Sequence, residues 1–266
     1  MKLKVFTAGG LLGLGHETRA QAVATEVSDL GATVEYAYTS RREDFHLRDL
    51  PPWLSAPHGR LATFDLTDVP SEDKGAFRSY PSFTSNEGKF PFAVIRKEIK
   101  DLNPCCEDYV AVSLGGLDPT DSTYMLAKEI SSLFPTLCIK RGIVMGYGGM
   151  EGMEGRGYLD IIGRARVIVS SCGNTALEAL YLGKPLILVS HNLREHLRAE
   201  GIGAPYAGRL DTLARARVTI RNVLDLVPKA WYKSHVGKGI GVVDGGGAQR
   251  IASAIVNAMQ AITVSG

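Results

Sequence analysis

The sequence predicts an α/β fold in which short apolar strands alternate with amphipathic helices along two successive halves of the chain. The first half opens with a β-prone run at 3–8, a glycine-punctuated loop and a helical pattern. The second half repeats strand and helix patterns from about residue 108. Strands joined by helices of this length make right-handed crossovers, and the sheets are therefore expected to be mostly parallel.

In the first half, four small apolar residues between 20 and 27 recur at helical spacing, and Gly31 follows as a natural stop. Alternating β-prone runs predict a second strand at 32–40 and a third near 61–68. The stretches at 41–60 and 69–92 are rich in proline, serine, charged and aromatic residues and lack periodicity. They are interpreted as long loops.

The second half contains a longer series. Strand patterns lie at 109–116, 136–146, 166–171 and 184–190, and helical patterns lie at 121–134, 158–165, 174–183, 193–202 and 248–262. A proline interrupts the pattern around 102–108 and marks the linker. The predicted organisation is an N-terminal domain at 1–104, a C-terminal domain at 105–247, and a final helix at 248–266 that packs back toward the N-terminal domain.

Composition excludes several classes of protein. The 30 basic and 28 acidic residues leave a net charge of +2, which is too small to mark a dedicated nucleic-acid or membrane-surface binder. The four cysteines show no zinc-like spacing, so no metal site is expected and free thiols in a reducing compartment are predicted. No apolar span approaches the roughly 20 residues of a membrane helix, and a cytoplasmic location is expected.

Three glycine-containing turns at strand ends are the candidate ligand sites. The first contains Gly13, Gly15, His16 and Arg19, where backbone amides at a helix start would face an anion and His16 would face the ligand. An ordinary tight turn with an exposed histidine explains the same residues equally well.

The second turn contains Ser113, Gly115, Gly116 and Asp118. Its hydroxyl and carboxylate groups are placed where ligands bind in parallel sheets. The alternative is a helix cap, in which Asp118 or Thr120 bonds to the amides of the helix beginning near Asp121.

The third turn contains Cys172, Gly173, Asn174, Thr175 and Glu178. Its first residues would offer donors to a diphosphate, and Glu178, one turn on, would accept hydrogen bonds from ribose hydroxyls. A capping box between the turn and Glu178 is the alternative. Cys172 is predicted to be a small buried residue rather than a nucleophile.

Taken in order, the motifs GLGHETR, SLGGLDPTD, SSCGNTALEALYLGKPLILV and GGGAQRI resemble the GT-B nucleotide-sugar enzymes of the MurG/PseG-like group, including predicted spore-coat polysaccharide glycosyltransferases. The resemblance implies two Rossmann-like parallel-sheet domains that face each other across a cleft. It also implies metal-independent transfer of a sugar from a nucleotide diphosphate sugar, expected to be a UDP-sugar, to a hydroxyl acceptor. The donor is then a co-substrate, and no cofactor is expected.

The resemblance assigns roles to individual residues. His16 would face the sugar–phosphate centre as the base, and the third turn would hold diphosphate and ribose. The nucleobase would rest near Gly142 to Gly146. Where relatives often carry Asn-Gln, this chain has His191 and Asn192, which are predicted to contact the sugar, although a surface or helix-cap role is the more common one for a histidine at such a position.

Three alternative functions remain open from the sequence. A PseG-like hydrolase would use water, helped by Asp65. A phage-type DNA glycosyltransferase would bind hydroxymethylated DNA with Arg41, Arg42, Arg48 and Arg60 and the aromatic residues near them, although a solvated loop with acidic neighbours explains these arginines better. A non-catalytic nucleotide-sugar-binding subunit would leave the chemistry to a partner. The acceptor and the oligomeric state are not predicted.

Overall fold

The computed structural model describes residues 2–7, 14–36, 45–49, 62–67, 77–81, 89–115, 118, 121–233, 237–239 and 241–265. The chain divides into two compact units. Unit 1 consists of Met1–Lys97 and Asp244–Gly266, and unit 2 consists of Glu98–Val243. These boundaries differ by a few residues from those expected at 104 and 247.

Unit 1 is a parallel sheet with helices. Its described elements are β1 (Lys2–Thr7), α1 (Leu14–Asp29), β2 (Thr33–Tyr36), β3 (Phe45–Asp49), β4 (Ala62–Thr67), β5 (Phe77–Pro81) and α8 (Gly247–Ser265). The strands pair in the order β2-β1-β3-β4-β5, and every pair is parallel. Helix α1 ends as the sequence predicts, because Gly31 follows it with a φ of 88°.

The core of unit 1 joins the two ends of the chain. Leu3 and Val5 of β1 pack with the apolar face of α1, represented by Val23 and Val27, and α8 adds Ile251 and its neighbours along the helix. Burying these side chains is the main stabilising term for a unit of this size. The C-terminal helix is therefore part of this core.

Two predicted loops contain strands. The stretches at 41–60 and 69–92 were expected to lack regular structure, but β3 pairs with β1 and β4, and β5 pairs with β4. The loop prediction was therefore wrong at 45–49 and 77–81. Each strand is only five residues long and is flanked by charged and polar residues. So short an alternation of apolar and polar residues does not stand out from the surrounding sequence.

Unit 2 is built on a six-stranded sheet. Its elements are β6 (Glu107–Ser113), α3 (Ser122–Ile130), β7 (Thr136–Lys140), β8 (Ile143–Tyr147), α4 (Tyr158–Arg164), β9 (Ala165–Ser171), α5 (Asn174–Tyr181), β10 (Leu186–Ser190), α6 (Leu193–Ile202), β11 (Tyr206–Arg209) and α7 (Leu213–Trp231), preceded by the short α2 (Lys97–Asp101). The strand order is β11-β10-β9-β6-β7-β8. All neighbours are parallel except β7 and β8.

The single strand predicted at 136–146 is a hairpin. Strand β7 ends at Lys140, the chain turns at Arg141 and Gly142, and β8 returns antiparallel to β7. Both turn residues have positive φ, 51° and 79°, which is the geometry of a two-residue hairpin turn. The prediction was wrong because Arg141 carries no turn signal in sequence and apolar residues continue on both sides.

Strand β11 and helix α7 have no counterpart among the predicted elements. Helix α7 buries Ala216, Thr219, Val223, Val227 and Ala230, which recur every three or four residues. That spacing is a helical signal in the sequence. The helix packs with α3 over the interior strands, in a core that includes Val110, Val167 and Ile187.

Both units confirm the predicted α/β class with mostly parallel sheets. In the described part of the chain, no helix is long and apolar enough to span a bilayer.

Candidate functional site

The candidate site lies at the carboxyl edge of the unit 2 sheet, where the parallel strands end. Ligands of open α/β sheets bind at this edge, because the loops and helix N-termini that follow the strands converge there. Strand β9 is central, with β6 on one side and β10 on the other. Ser113 pairs with Ser170, and Val189 pairs with Ser171, so the three strands end at nearly the same level.

The turn from β9 into α5 presents backbone to this edge. Gly173 is the N-cap residue, has an extended backbone (φ −115°, ψ −162°), and no side-chain hydrogen bond caps the helix. A Cβ at Gly173 would lie 3.8 Å from the hydroxyl oxygen of Ser171, and one at Gly115 would lie 3.7 Å from it. The Ser171 hydroxyl therefore lies next to both glycines. The helix dipole and first-turn amides make this turn the most suitable place for an anion.

The turn from β6 into α3 is closed by a carboxylate. Asp118 accepts hydrogen bonds from the amides of Ser122 at 3.0 Å and Thr123 at 2.8 Å, and its side chain is fully buried. Burial raises the pKa of Asp118, but the hydrogen bonds from Thr123 and Ser122 and the nearby His191 outweigh it and hold the pKa below its usual value. The helix-cap interpretation of Asp118 is therefore correct.

Lys140 ties this turn to the end of β7. Its ammonium donates to the backbone carbonyl of Asp118 at 2.8 Å, lies 3.6 Å from the Asp118 carboxylate and pairs with Asp121. Burial lowers the pKa of Lys140, but the bond to Asp121 and the charge of Asp118 outweigh it, and the net shift is upward. Lys140 is thus a cation that two carboxylates already share.

His191 follows β10 and carries a buried nitrogen without a partner. Its side chain is 7% exposed, and its Nε2 lies 4.0 Å from Asp118 Oδ1. No hydrogen-bond partner for this Nε2 is found in the described part of the chain. Because β10 and β6 flank β9 on opposite sides, the approach of His191 to Asp118 brings together the ends of two strands that are not neighbours in the sheet. A buried nitrogen usually has a hydrogen-bond partner, and water or a ligand would supply one here.

The turn from β10 into α6 is also capped. Asn192 accepts a hydrogen bond from the amide of Glu195 at 2.9 Å, and Glu195 accepts one from the amide of His191 at 2.7 Å. This is a capping arrangement that satisfies the helix start within the chain. Asn192 is therefore engaged structurally.

Cys172 is buried, as the sequence predicts, and is not suited to nucleophilic chemistry. Its Sγ lies 3.6 Å from the carbonyl oxygen of Val189. Burial, with a contribution from Glu195, raises the pKa of Cys172 to about 12.

Glu178 is buried one turn into α5, where Tyr158 contacts it. The Tyr158 hydroxyl donates to Glu178 and lies 3.0 Å from the Thr175 hydroxyl. The capping box that served as the alternative explanation of Glu178 is not formed, because α5 has no side-chain cap. Glu178 instead links α5 to the start of α4.

The two glycines predicted near the nucleobase are separated. Gly142 lies in the hairpin turn at the carboxyl edge, beside the end of β7. Gly146 pairs with Leu137 near the opposite end of the hairpin, and a Cβ there would lie 1.9 Å from the carbonyl oxygen of Met150. Gly146 is thus required by close backbone packing, which the sequence did not reveal.

The predicted residues of unit 1 are described only in part. Gly15 and His16 lie in the first turn of α1 and Asp65 lies in β4, but the side chains of His16 and Asp65 fall outside the described structure, as does Gly13. Arg19 is buried within α1, with 4% of its surface exposed. The catalytic assignments of His16 and Asp65 stay predictions.

Several other predicted residues also lie outside the described structure. They are Gly116 of the second turn, Arg41, Arg42 and Arg60 of the first half, and the side chain of Arg48. Residues that the sequence analysis missed are Lys140, Ser171 and Tyr158. Of these three, only Lys140 had a signal in the sequence, because it ends a β-prone run at the KRG turn. No cluster of three or more metal-ligating side chains occurs among the described residues.

Comparisons with known proteins do not assign a family. No family model matches the chain, and no curated protein matches it. Among solved structures, one similar chain is the C-terminus of E. coli RcsC (residues 700–949), which contains a linker region and a phosphoreceiver domain. The identity is 13%, with 87% of this chain and 95% of that chain covered, and the TM-score is 0.27. That score is too low for any property of RcsC to be transferred.

These comparisons correct the resemblance to GT-B enzymes and the functions drawn from it. No family model and no curated protein matches, and the solved structure reported above is described as a linker region and phosphoreceiver domain, not as a glycosyltransferase. The prediction of a nucleotide-sugar glycosyltransferase, with its hydrolase, DNA-modifying and nucleotide-sugar-binding alternatives, is therefore wrong by this comparison. The physical reason is that glycine turns followed by helices occur at the carboxyl ends of strands in parallel sheets of many functions. Such motifs predict the fold better than the family.

Proposed function

We propose that this protein binds a small phosphate-bearing ligand at the carboxyl edge of the unit 2 sheet, with the phosphate at the first turn of α5. The single observation that carries the proposal is the uncapped start of α5 at Gly173, which lies at the end of the central strand β9. Backbone amides and the positive end of the helix dipole bind anions at such a position without a metal.

The other helices that follow strands at this edge support the choice of α5, because side chains of the protein cap them. Asp118 caps α3, Asn192 caps α6, and Thr212 caps α7. Their first turns are satisfied by side chains of this protein, so an anion would have to displace them. The N-cap residue of α5 is instead a glycine, which has no side chain to cap the helix.

His191 provides a second, independent reason. His191 and Gly173 each lie two residues beyond the paired Val189 and Ser171 of β10 and β9. The Nε2 of His191 is buried and has no hydrogen-bond partner in the described structure. A neutral imidazole that carries its hydrogen on Nε2 would donate it to a phosphate oxygen.

The test is to replace Gly173 with aspartate. Its extended backbone suits an aspartate N-cap, and the 3.8 Å separation from the Ser171 hydroxyl leaves room for a Cβ. The new carboxylate would cap α5 and repel an anion, so Gly173→Asp is expected to weaken binding of methyl phosphate by about tenfold or more while stabilising the fold slightly. Binding would be measured by isothermal titration calorimetry in phosphate-free buffer.

A matched control is Gly155→Asp. Gly155 is exposed, a Cβ there meets no atom within 4 Å, and its neighbour Arg156 pairs with Glu107 at the amino end of β6. This variant adds the same charge away from the site and is expected to bind methyl phosphate as the wild type does. The proposal fails if the wild type does not bind methyl phosphate, or if Gly173→Asp binds it with unchanged affinity.

A further inference from the structure

We infer that the hydroxyl of Ser171 binds the phosphate of the ligand, together with the backbone amides at the start of α5. This inference rests on the proposed function and adds a specific side chain to that site. Ser171 is the last residue of β9, and Gly173, the N-cap residue of α5, lies two residues beyond it. The side chain of Ser171 is therefore close in sequence to the turn that would hold the anion.

The space beside the Ser171 hydroxyl lies between two residues that have no side chain. A Cβ at Gly115 would lie 3.7 Å from the hydroxyl oxygen, and a Cβ at Gly173 would lie 3.8 Å from it. Apart from neighbours along the chain, this oxygen is the only atom of the described residues within 4 Å of either Cβ position. The turns that follow β6 and β9 thus leave the hydroxyl uncovered at these two positions.

The hydroxyl of Ser171 also has no partner within the protein. It makes no hydrogen bond to any other residue in the described part of the chain, although Ser171 is only 5% exposed. A polar group in so buried a position usually has a hydrogen-bond partner. The preceding residue shows the ordinary case, because Ser170 is fully buried and its hydroxyl donates to the carbonyl oxygen of Ser171 at 3.0 Å. Ser171 therefore retains a donor that the described fold does not use.

A hydroxyl in this position suits an oxygen of a phosphate. Its hydrogen rotates about the bond between carbon and oxygen, so it can point toward an acceptor in the space beside Gly115 and Gly173. A hydrogen bond to a charged acceptor is stronger than one between neutral groups. A phosphate monoester has three terminal oxygens, so one oxygen can accept from Ser171 while another accepts from the amides at the start of α5.

The test is the substitution Ser171→Ala, which removes only the hydroxyl. The variant is expected to bind methyl phosphate about tenfold more weakly than the wild type, because one hydrogen bond to a charged acceptor is lost. Isothermal titration calorimetry in phosphate-free buffer measures this change. An unchanged affinity would overturn the inference.

The stability of the same variant separates a binding role from a structural one. Because the hydroxyl has no partner among the described residues, its removal should not lower the free energy of unfolding in the absence of ligand. Urea denaturation without methyl phosphate measures this quantity. A variant that loses both affinity and stability would assign Ser171 a structural role and overturn the inference.

The matched control is Ser170→Ala. It removes a hydroxyl from the adjacent residue of the same strand, where the hydroxyl is bonded within the chain. This variant is expected to bind methyl phosphate as the wild type does. Equal losses of affinity in the two variants would show that the end of β9, and not the Ser171 hydroxyl, is responsible, and would overturn the inference.

The outcomes distinguish this inference from the proposed function. If the wild type binds methyl phosphate, Gly173→Asp weakens the binding and Ser171→Ala does not, the role of Ser171 is overturned and phosphate binding at α5 stands. If the wild type does not bind methyl phosphate, the proposed function fails and the inference fails with it.

Discussion

The ammonium of Lys140 donates a hydrogen bond to the backbone carbonyl of Asp118 at 2.8 Å and lies 3.6 Å from its carboxylate. This contact joins the end of β7 to the turn that precedes α3. It also places Lys140 beside a buried carboxylate, whose charge contributes, after the bond to Asp121, to holding the pKa of Lys140 above its usual value. The behaviour of this pair with pH can be derived from the direction of the Asp118 pKa.

Asp118 is expected to make the stability of the protein sensitive to acid. Its pKa in the folded state is held below the ordinary 3.8, so the unfolded state binds more protons between the two values. The stabilisation is fully present above 3.8 and is lost as pH falls through the lowered pKa. Urea unfolding between pH 7 and 3 should show this loss, and Asp118→Asn should reduce it.

At neutral pH, Asp118→Asn is expected to lower the free energy of unfolding by about 2 kcal/mol, because a neutral amide cannot accept both α3 amides or balance Lys140. The comparison variant is Asp108→Asn, whose exposed pair with Arg166 should contribute less than about 1 kcal/mol. An Asp118→Asn variant as stable as the wild type at pH 7 would contradict the capping role.

Two substitutions in the β7–β8 turn are expected to change the stability of the protein in opposite directions. Arg141 has a φ of 51°, which costs energy for a side chain that cannot bond locally, whereas asparagine favours this conformation. Arg141→Asn should therefore raise the free energy of unfolding by about 0.5 kcal/mol, and Gly142→Ala should lower it by about 1 kcal/mol. Thermal unfolding of the two variants would measure both changes in stability. If both variants were stabilised, or both destabilised, the result would argue against a two-residue turn.

Gly146 tests a packing role against a binding role. A Cβ at this position would lie 1.9 Å from the backbone oxygen of Met150, so Gly146→Ala should destabilise unit 2 by about 2 kcal/mol or more. Gly155→Ala, where no atom lies within 4 Å, is the matched control and should change stability little. The free energy of unfolding of both variants would be measured by chemical denaturation. A Gly146→Ala protein with wild-type stability that has lost ligand binding would restore the role predicted from sequence.

The elements that could be predicted from the sequence are those that local interactions determine. Helix α1 was predicted because its buried apolar residues Ala20, Val23, Ala24 and Val27 recur at helical spacing, and Gly31 ends α1 by a backbone property of glycine itself. The short strands β3 and β5 were missed because their partners lie far along the chain and five residues carry too little pattern.

Some features of the candidate site could likewise be predicted from the sequence, and others could not. The turn at Gly173 and the cap at Asp118 were visible as residue types at strand ends. The contact between Lys140 and Asp118 and the approach of His191 to Asp118 were not, because they join residues 22 or more positions apart on different strands. Whether a glycine turn is open to an anion depends on those distant charges. The sequence motif alone therefore overstated its specificity.

The cysteines provide a last prediction, which depends on burial and on pKa. Cys105 and Cys106 are exposed, and Cys138 and Cys172 are buried. Burial raises the pKa of Cys138 to about 11 and that of Cys172 to about 12, so at pH 8 about one in a thousand or fewer of these thiols is ionised.

A disulfide reagent such as 5,5′-dithiobis(2-nitrobenzoate) should therefore modify two thiols rapidly in the native protein and the other two only as it unfolds. The double variant Cys105→Ser/Cys106→Ser should lose the whole rapid phase. Rapid modification of a third thiol, traced to Cys172 by peptide mapping, would show that the end of β9 opens far more than its buried position allows. It would also contradict the prediction that Cys172 is a buried, unreactive residue.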